Sequence, residues 1–373
     1  MLRRFAYALG MPRGACGAVR YLSSGPARTS VAKLPRRTVL ELEGRDTFKF
    51  LQGAITNNVQ RLEEERRAGD VVRDVFYAAF LNPQGRMVSD ALLYHRVQAK
   101  DPSVLIEVDS QIEGELVKFL KRFKLRSKFR ITDVSDAWDV RQVWGPGAEA
   151  LIGNAPTDDP RIVAVRDVRA PAMGWRVLSP AGDTPSFLAS ADQVTHEEYS
   201  VHRMLSGVPE GADELASGAS LPLECCVDYM NGVDFHKGCY IGQELTARTH
   251  FTGLIRKRVM PVLLTRPDEP APQPPQVDPA RITELPARGA DVRLTSANQA
   301  DTGGRPRRAR SAGKFLGGVQ NVGLALLRLE QVAQTQSGPS APQLLIECAD
   351  GSTAQLHAWR PEWWPADTDG HSE

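Results

Sequence analysis

At 373 residues, with 42% hydrophobic and 24% charged content, the chain exceeds what one core usually serves, so two or three domains are expected. Every apolar run is cut by charge, Gly or Pro before the roughly 18 to 20 residues that a spanning helix requires, which excludes a membrane span. Of 46 basic residues, eight lie before Glu41 with no acidic residue among them, leaving 38 against 45 acidic beyond residue 40; a body near −7 lacks the footprint of a nucleic-acid binder.

The first forty residues are a class of their own. Arg3, Arg4, Arg13, Arg20 and Arg28 are separated by hydroxyl and aromatic stretches such as Tyr21-Leu22-Ser23-Ser24, the composition of a mitochondrial transit peptide. Residues 1–35 are assigned to it, with cleavage near Leu22 to Ser24. The five cysteines, at 16, 225, 226, 239 and 348, form neither a disulfide framework nor a two-plus-two zinc spacing.

Thr38 to Glu43 alternates like a half-exposed strand, and after Gly44 a short helix begins around Arg45. Val75 to Phe80 and Arg86 to Tyr94 form a hairpin across Asn82-Pro83-Gln84-Gly85, with Pro and Gly where a type I turn favours them. Val104 to Val108 is a strand, and Ile112, Leu116, Phe119, Leu120 and Phe123 trace the apolar face of a basic-edged helix. Strands at 138–144, 162–168 and 174–178 lead to a helix over 192–206, ended by Gly207 and Pro209. No Gly-rich phosphate loop follows a strand, and the fold class is α+β. Residues 36–255 form the main α+β region. Residues 256–373 form a small β domain with strands at 258–264, 317–329, 343–348 and 353–358, interrupted by a Pro-, Ala- and Arg-rich loop over 266–313.

Chemistry concentrates between Leu221 and Arg258. Cys239 lies in His236-Lys237-Gly238-Cys239-Tyr240-Ile241-Gly242-Gln243-Glu244, where the glycines permit tight turns and Tyr240 onward opens a helix. A thiol near a helix N-terminus, two residues from Lys237, is placed to ionise, and the thiolate is the form that attacks electrophiles and binds iron. A core cysteine is the bland alternative, which the polar and glycine-rich surroundings disfavour. Cys225 and Cys226 are adjacent and cannot both face one pocket in extended backbone. One would be inert, and the other is a weaker candidate for supplementary iron ligation. The run from Thr246 to Arg258 adds basic groups, Arg248 among them, that would suit an anionic ligand or an acidic surface.

The segment Lys237 to Glu244, followed by Thr246-Ala247-Arg248-Thr249-His250, resembles the signature of YgfZ-type proteins, relatives of the glycine-cleavage T protein. Gly207-Val208-Pro209-Glu210-Gly211, the Leu221-Pro222-Leu223-Glu224 element, Phe50-Leu51-Gln52-Gly53, Thr56-Asn57-Asn58 and Pro361-Glu362-Trp363-Trp364-Pro365 extend the resemblance over most of residues 38–365. It implies α+β domains around a central folate-sized cavity with a C-terminal β barrel. It also implies a mitochondrial matrix factor that supports late maturation of four-iron proteins, such as aconitase and radical-SAM enzymes, together with A-type iron-sulfur carrier proteins. In that reading Cys239 transiently ligates iron or cluster and Lys237 supports its thiolate, while Gln243, Glu244 and Arg248 organise the loop or meet the partner. Arg203 and Glu224 fall at positions that line the ligand site in folate-binding relatives. The alternative activity is a tetrahydrofolate-dependent, aminomethyl-type one-carbon transferase. Two departures bear on it: the carboxylate expected to pair with the pterin is Leu205, and the acidic pair after the hairpin is Ser89-Asp90.

Overall fold

The computed structural model describes residues 28–60, 75–96, 99–156, 159–182, 184–253, 255–267, 269, 277–278, 284–295, 311–336 and 341–365. Sixteen strands and six helices occur among them, 3-10 turns aside. In chain order they are β1 (Ser30–Lys33), β2 (Arg37–Glu43), α1 (Thr47–Ala54), β3 (Val75–Leu81), β4 (Met87–His95), β5 (Ser103–Asp109), α2 (Glu113–Lys124) and β6 (Arg130–Asp133). There follow β7 (Trp138–Trp144), α3 (Ala148–Gly153), β8 (Val163–Arg166), β9 (Trp175–Pro180), β10 (Asp192–Val194), α4 (His196–Leu205) and α5 (Gln243–Thr252). The last are β11 (Lys257–Thr265), β12 (Asp291–Leu294), β13 (Ser311–Val319), β14 (Val322–Arg328), α6 (Leu329–Gln334), β15 (Leu344–Glu347) and β16 (Thr353–Ala358).

The strands form two five-stranded sheets, ordered β3-β4-β5-β2-β6 and β10-β1-β7-β9-β8, and a closed six-stranded barrel. In the first sheet, α1 and α2 cover one face, setting Phe48, Leu51, Leu116 and Leu120 against Leu40, Phe80 and Ile106. The apolar stripe of α2 faces inward as its periodicity requires, with Lys121, Arg122 and Lys124 in its last turn. A second cluster is continuous from Ala32 and Tyr77 through Tyr199 and Met230 to Val262 and Leu327, so sheets and barrel share one core.

Several expectations are corrected. Ser30–Lys33, placed in the leader, is a strand paired with β7 and β10, so folded structure begins ahead of residue 36. Four residues inside an arginine-rich segment give too short a pattern to stand out; residues 1–27, with the expected cleavage region, lie outside the described set. The helix expected over 192–206 starts at His196, where the Thr195 hydroxyl accepts the Glu198 amide as N-cap, and Asp192–Val194 pairs in parallel with β1. The single strand expected over 317–329 is a hairpin, β13 to β14, reversing at Gln320-Asn321 with Gln320 at φ 56°. The loop read over 266–313 contains a barrel strand, β12, whose Val292 is fully buried; most of the remaining loop, Arg305 to Arg310 included, lies outside the described residues.

Between the two sheets lies a buried polar network. Arg37 of β2 bonds Glu107 of β5 at 2.6 Å, and Tyr94 of β4 donates to the same carboxylate. Arg176 of β9 reaches Glu107 at 3.4 Å and Glu210 at 2.8 Å. Arg169 meets Glu210 at 2.6 Å and Asp167 at 2.7 Å, and the Tyr199 hydroxyl donates to Glu210. Burial raises the Glu210 carboxyl, but Arg169, Arg37 and Arg176 outweigh it and hold the group well below the usual carboxylate range. Charges this deep persist only because each has partners, which makes Glu210 a keystone between the sheets.

Candidate functional site

The segment 231–242 has little regular structure of its own and is held by the stretch that follows α1. Thr56 Oγ1 donates to Gly232 O at 2.6 Å, and Thr56 O accepts from the Asp234 amide at 3.1 Å. Asn57 Nδ2 donates to Asn231 O at 2.8 Å, and the Ile241 amide donates to Gly53 O at 3.0 Å. Lys237 supplies the central tie, its ammonium donating to Ile55 O and Asn57 O, each at 2.7 Å, beneath the face of Tyr240. Burial pushes this lysine down to about 7, with Asp234 opposing. The expected place of Lys237 beside the thiolate is therefore replaced by a clamp: its charge is directed at backbone carbonyls and fixes the loop.

The downstream anchor is Gly242, the N-cap of α5, at φ 77°. A Cβ there would stand 2.3 Å from Asn82 O and 2.9 Å from Leu81 Cβ, so only glycine lets the helix start against the β3–β4 turn. Gly85 presents the reciprocal contact, where a Cβ would meet Leu245 Cβ at 2.8 Å and Gly242 O at 2.9 Å. Gly238, expected to serve the same turn, has open space around it and no positive φ. Gln243 braces the entry: its Oε1 accepts the Tyr240 amide at 3.1 Å and its own amide bonds Tyr240 O at 3.3 Å.

Between clamp and helix, Cys239 is exposed. Glu244, Arg248 and His236 are exposed around the same loop, and Phe251 of α5 is 76% exposed. His250 stacks on Phe235 with ring centroids 3.6 Å apart, tying the helix back to the loop. The other described thiols are buried. Burial raises Cys225, and it raises Cys226 to about 12 against the pull of Arg258; the Cys226 thiol donates to Val259 O. Neither can supplement Cys239 as an iron ligand, because a neutral thiol packed in the core offers no accessible sulfur. Among the described residues, no group of three His, Cys, Asp or Glu side chains converges to hold a metal ion. Among the described residues, Cys239 is the single accessible thiol, and it sits on a loop held at both ends.

Arg203 and Glu224 are elsewhere. Arg203 is buried and forks onto Glu214 at 2.7 and 2.8 Å, with Val208 O as a further acceptor, so it braces the turn after α4. Glu224 is half-buried and passes its carbonyl to the Val259 amide, seating the Leu-Pro-x-Glu turn on β11. Arg258, read among the exposed basic groups, is buried on Asp228 at 2.6 and 2.9 Å.

The residues present do not fit a folate. Leu205, where a pterin-pairing carboxylate is needed, is 3% exposed within the core, and the Arg203 fork is closed by Glu214. Asp90, the remaining acid after the hairpin, is buried and its carboxyl is raised by that burial while it accepts the Gly211 amide. The cavity that Arg203 lines, between α4, the β2 edge and the barrel, holds about 220 Å³. That is below the roughly 300–1,000 Å³ of small-molecule sites.

The two sheets and the closed barrel define an aminomethyltransferase-like fold. The aminomethyltransferase T of the Bartonella henselae glycine cleavage system superposes with a TM-score of 0.61 over 90% of this chain and 86% of its own, at 12% identity, which establishes the fold alone. Residues 35–169 match the GCVT N-terminal domain and residues 256–366 the CAF17 C-terminal beta-barrel domain. The mitochondrial iron-sulfur cluster assembly factor IBA57 homologue of Mycosarcoma maydis is 42% identical over 352 residues, covering 90% of this chain and 85% of the relative. The human mitochondrial assembly factor IBA57 is 35% identical over 339 residues, covering 89% and 85%. This chain belongs to the IBA57 family of mitochondrial iron-sulfur cluster assembly factors.

Proposed function

We propose that the chain acts in the mitochondrial matrix, delivered by its basic N-terminal segment, as an assembly factor for four-iron proteins, with Cys239 as its functional thiol. The observation that carries this reading is the pairing of one exposed thiol on a clamped loop with the absence, among the described residues, of a complete ligand set. One thiolate cannot hold an iron-sulfur unit, whose irons require several sulfur donors. The remaining donors must come from a second protein, so the cluster is cargo shared across an interface rather than a resident group. A-type carriers loaded with two-iron units are the partners this chemistry calls for, and four-iron enzymes such as aconitase and radical-SAM proteins the clients.

Each residue around the thiol has a part. Lys237, Thr56 and Asn57 position the loop, and Gln243 fixes its exit into α5. Glu244, Arg248 and Phe251 present polar and apolar surface for the partner. The test is anaerobic mixing with a cluster-loaded A-type carrier, followed by size-exclusion chromatography with absorbance of the cluster. Wild type should co-elute with carrier and chromophore, and Cys239→Ala should release the cluster-bearing complex. A complex of unchanged cluster content with Cys239→Ala would defeat the proposal.

A further inference from the structure

The positive charge of the folded body is unevenly placed. From Lys118 to Arg130 the sequence holds seven basic residues and no acidic one. This is the C-terminal part of α2 and the turn into β6, and Lys121, Arg122, Arg126 and Lys128 are all exposed there. Nearby carboxylates are already engaged: Glu43 pairs with Arg130 at 2.8 Å, and Asp46 takes the Lys128 amide at 2.6 Å. Arg45 joins the group across a concave surface of about 580 Å³ built from residues 124–130 and the turn after β2, with Asp101 the one exposed acid on its rim.

Leu125 stands at the tip of this turn and is 85% exposed. Its φ is 47°, at the position closing α2, where helices favour Gly or Asn. Folding gains nothing from a leucine here: the backbone disfavours it and the side chain packs on nothing. An apolar residue that costs the free protein at both levels is explained by burial in something else.

We propose that this turn docks on an anionic phospholipid surface, with Leu125 entering the acyl boundary while Arg45, Lys121, Arg122, Arg126 and Lys128 meet the lipid phosphates. A protein partner would need a preformed apolar pocket inside an acidic rim, whereas a bilayer offers a fluid apolar layer beneath a plane of phosphates to any protruding tip of this kind. Each basic residue near such a surface strengthens binding about five-fold, and acidic groups farther than a Debye length of about 8 Å from the lipid are screened. The sheet register adds a consequence. Glu43 pairs with Ser103, and His95 with Val104, at the patch end of the first sheet. The Asn82–Gly85 turn that carries the Cys239 loop closes the opposite end of β3 and β4. A docked chain therefore holds Cys239 away from the lipid, open to a soluble partner.

The test is flotation of the full chain with phosphatidylcholine vesicles, with and without one-fifth cardiolipin. Binding is expected only to the anionic vesicles and should weaken at least ten-fold as salt rises from about 0.05 to 0.3 M. Joint Lys121→Glu, Arg126→Glu and Lys128→Glu should lower it at least ten-fold. Leu125→Gly should lower it several-fold while leaving the fold as stable as wild type or more so, since glycine suits the positive φ. Failure to float with anionic vesicles at low salt would overturn the proposal. So would binding that survives both sets of changes but is lost on reversing Arg3, Arg4 and Arg13, which would assign it to the N-terminal segment.

Discussion

Gly242→Ala tests the link between the fold and the thiol. The new methyl would stand 2.3 Å from Asn82 O, 2.9 Å from Leu81 Cβ and 3.2 Å from Gly85 Cα, at a residue whose φ is 77°. The left-handed conformation costs an alanine about 1–2 kcal/mol. Two of the contacts are with backbone, which cannot swing aside, and overpacking of that kind costs about 1–3 kcal/mol. A loss of about 2–5 kcal/mol follows, measurable by urea unfolding followed by circular dichroism. Gly85→Ala strikes the same contact from the other side, with its Cβ 2.9 Å from Gly242 O. Once either change has forced the helix off the hairpin, the second has less to disrupt, so the double variant should cost less than the sum. Relief should also loosen the Ile241 amide from Gly53 O and the Gln243 brace, raising exchange of the Ile241 amide hydrogen. A Gly242→Ala protein within about 0.5 kcal/mol of wild type, or strict additivity of the pair, would refute this account of how the loop is seated.

Lys237 has a lower pKa folded, about 7, than unfolded, so between about 7 and 10.5 the unfolded chain binds more protons and stability rises with pH. Wild type should gain about 1 kcal/mol per pH unit over Lys237→Met from pH 7 to 9, read from urea midpoints; parallel profiles would contradict the burial of Lys237 in the folded loop. Glu210→Gln should destabilise by about 3–5 kcal/mol, because Arg169 and Arg176 lose a buried partner. Since the folded Glu210 is depressed, its contribution is present above the unfolded pKa and is lost as pH falls through the folded one, so the variant's deficit should shrink in acid. In a Cys16→Ser background, alkylation at neutral pH should label Cys239 alone, with Cys225, Cys226 and Cys348 reacting only after denaturation; mass spectrometry of the native protein decides it.

The sequence made much of this visible, and what it hid has physical causes. The first hairpin, α2 and the Cys239 segment were legible because a Pro- and Gly-bearing turn between apolar runs, a 3.6-residue stripe and a glycine-bounded polar run each leave a strong local pattern. β1, β10 and β12 were not, since three or four residues carry too little periodicity and depend on partners distant in sequence. Lys237 was found but its task was misread: sequence proximity to Cys239 suggested an electrostatic partner, whereas its long stem carries the ammonium to Ile55 and Asn57. Thr56 and Asn57 entered only through the family resemblance. The cue within the chain was the run of three polar residues, Thr56, Asn57 and Asn58, between the fully buried Ile55 and Val59, where the backbone leaving α1 needs acceptors and donors nearby. Arg203 and Arg258 show the converse, arginines that read as ligand groups and prove to be internal ties, because burial of a cation depends on carboxylates at Glu214 and Asp228 that spacing does not reveal.

The most direct measurement is the reconstitution of four-iron aconitase from apo-enzyme with purified A-type carriers, with this chain supplied as wild type or as Cys239→Ala. Because Cys239 is exposed and tied to nothing in the core, the variant should fold with wild-type stability. The account predicts that aconitase activity and four-iron absorbance recover with wild type and stay near the carrier-only level with Cys239→Ala. Equal rate and yield with the two proteins would contradict it.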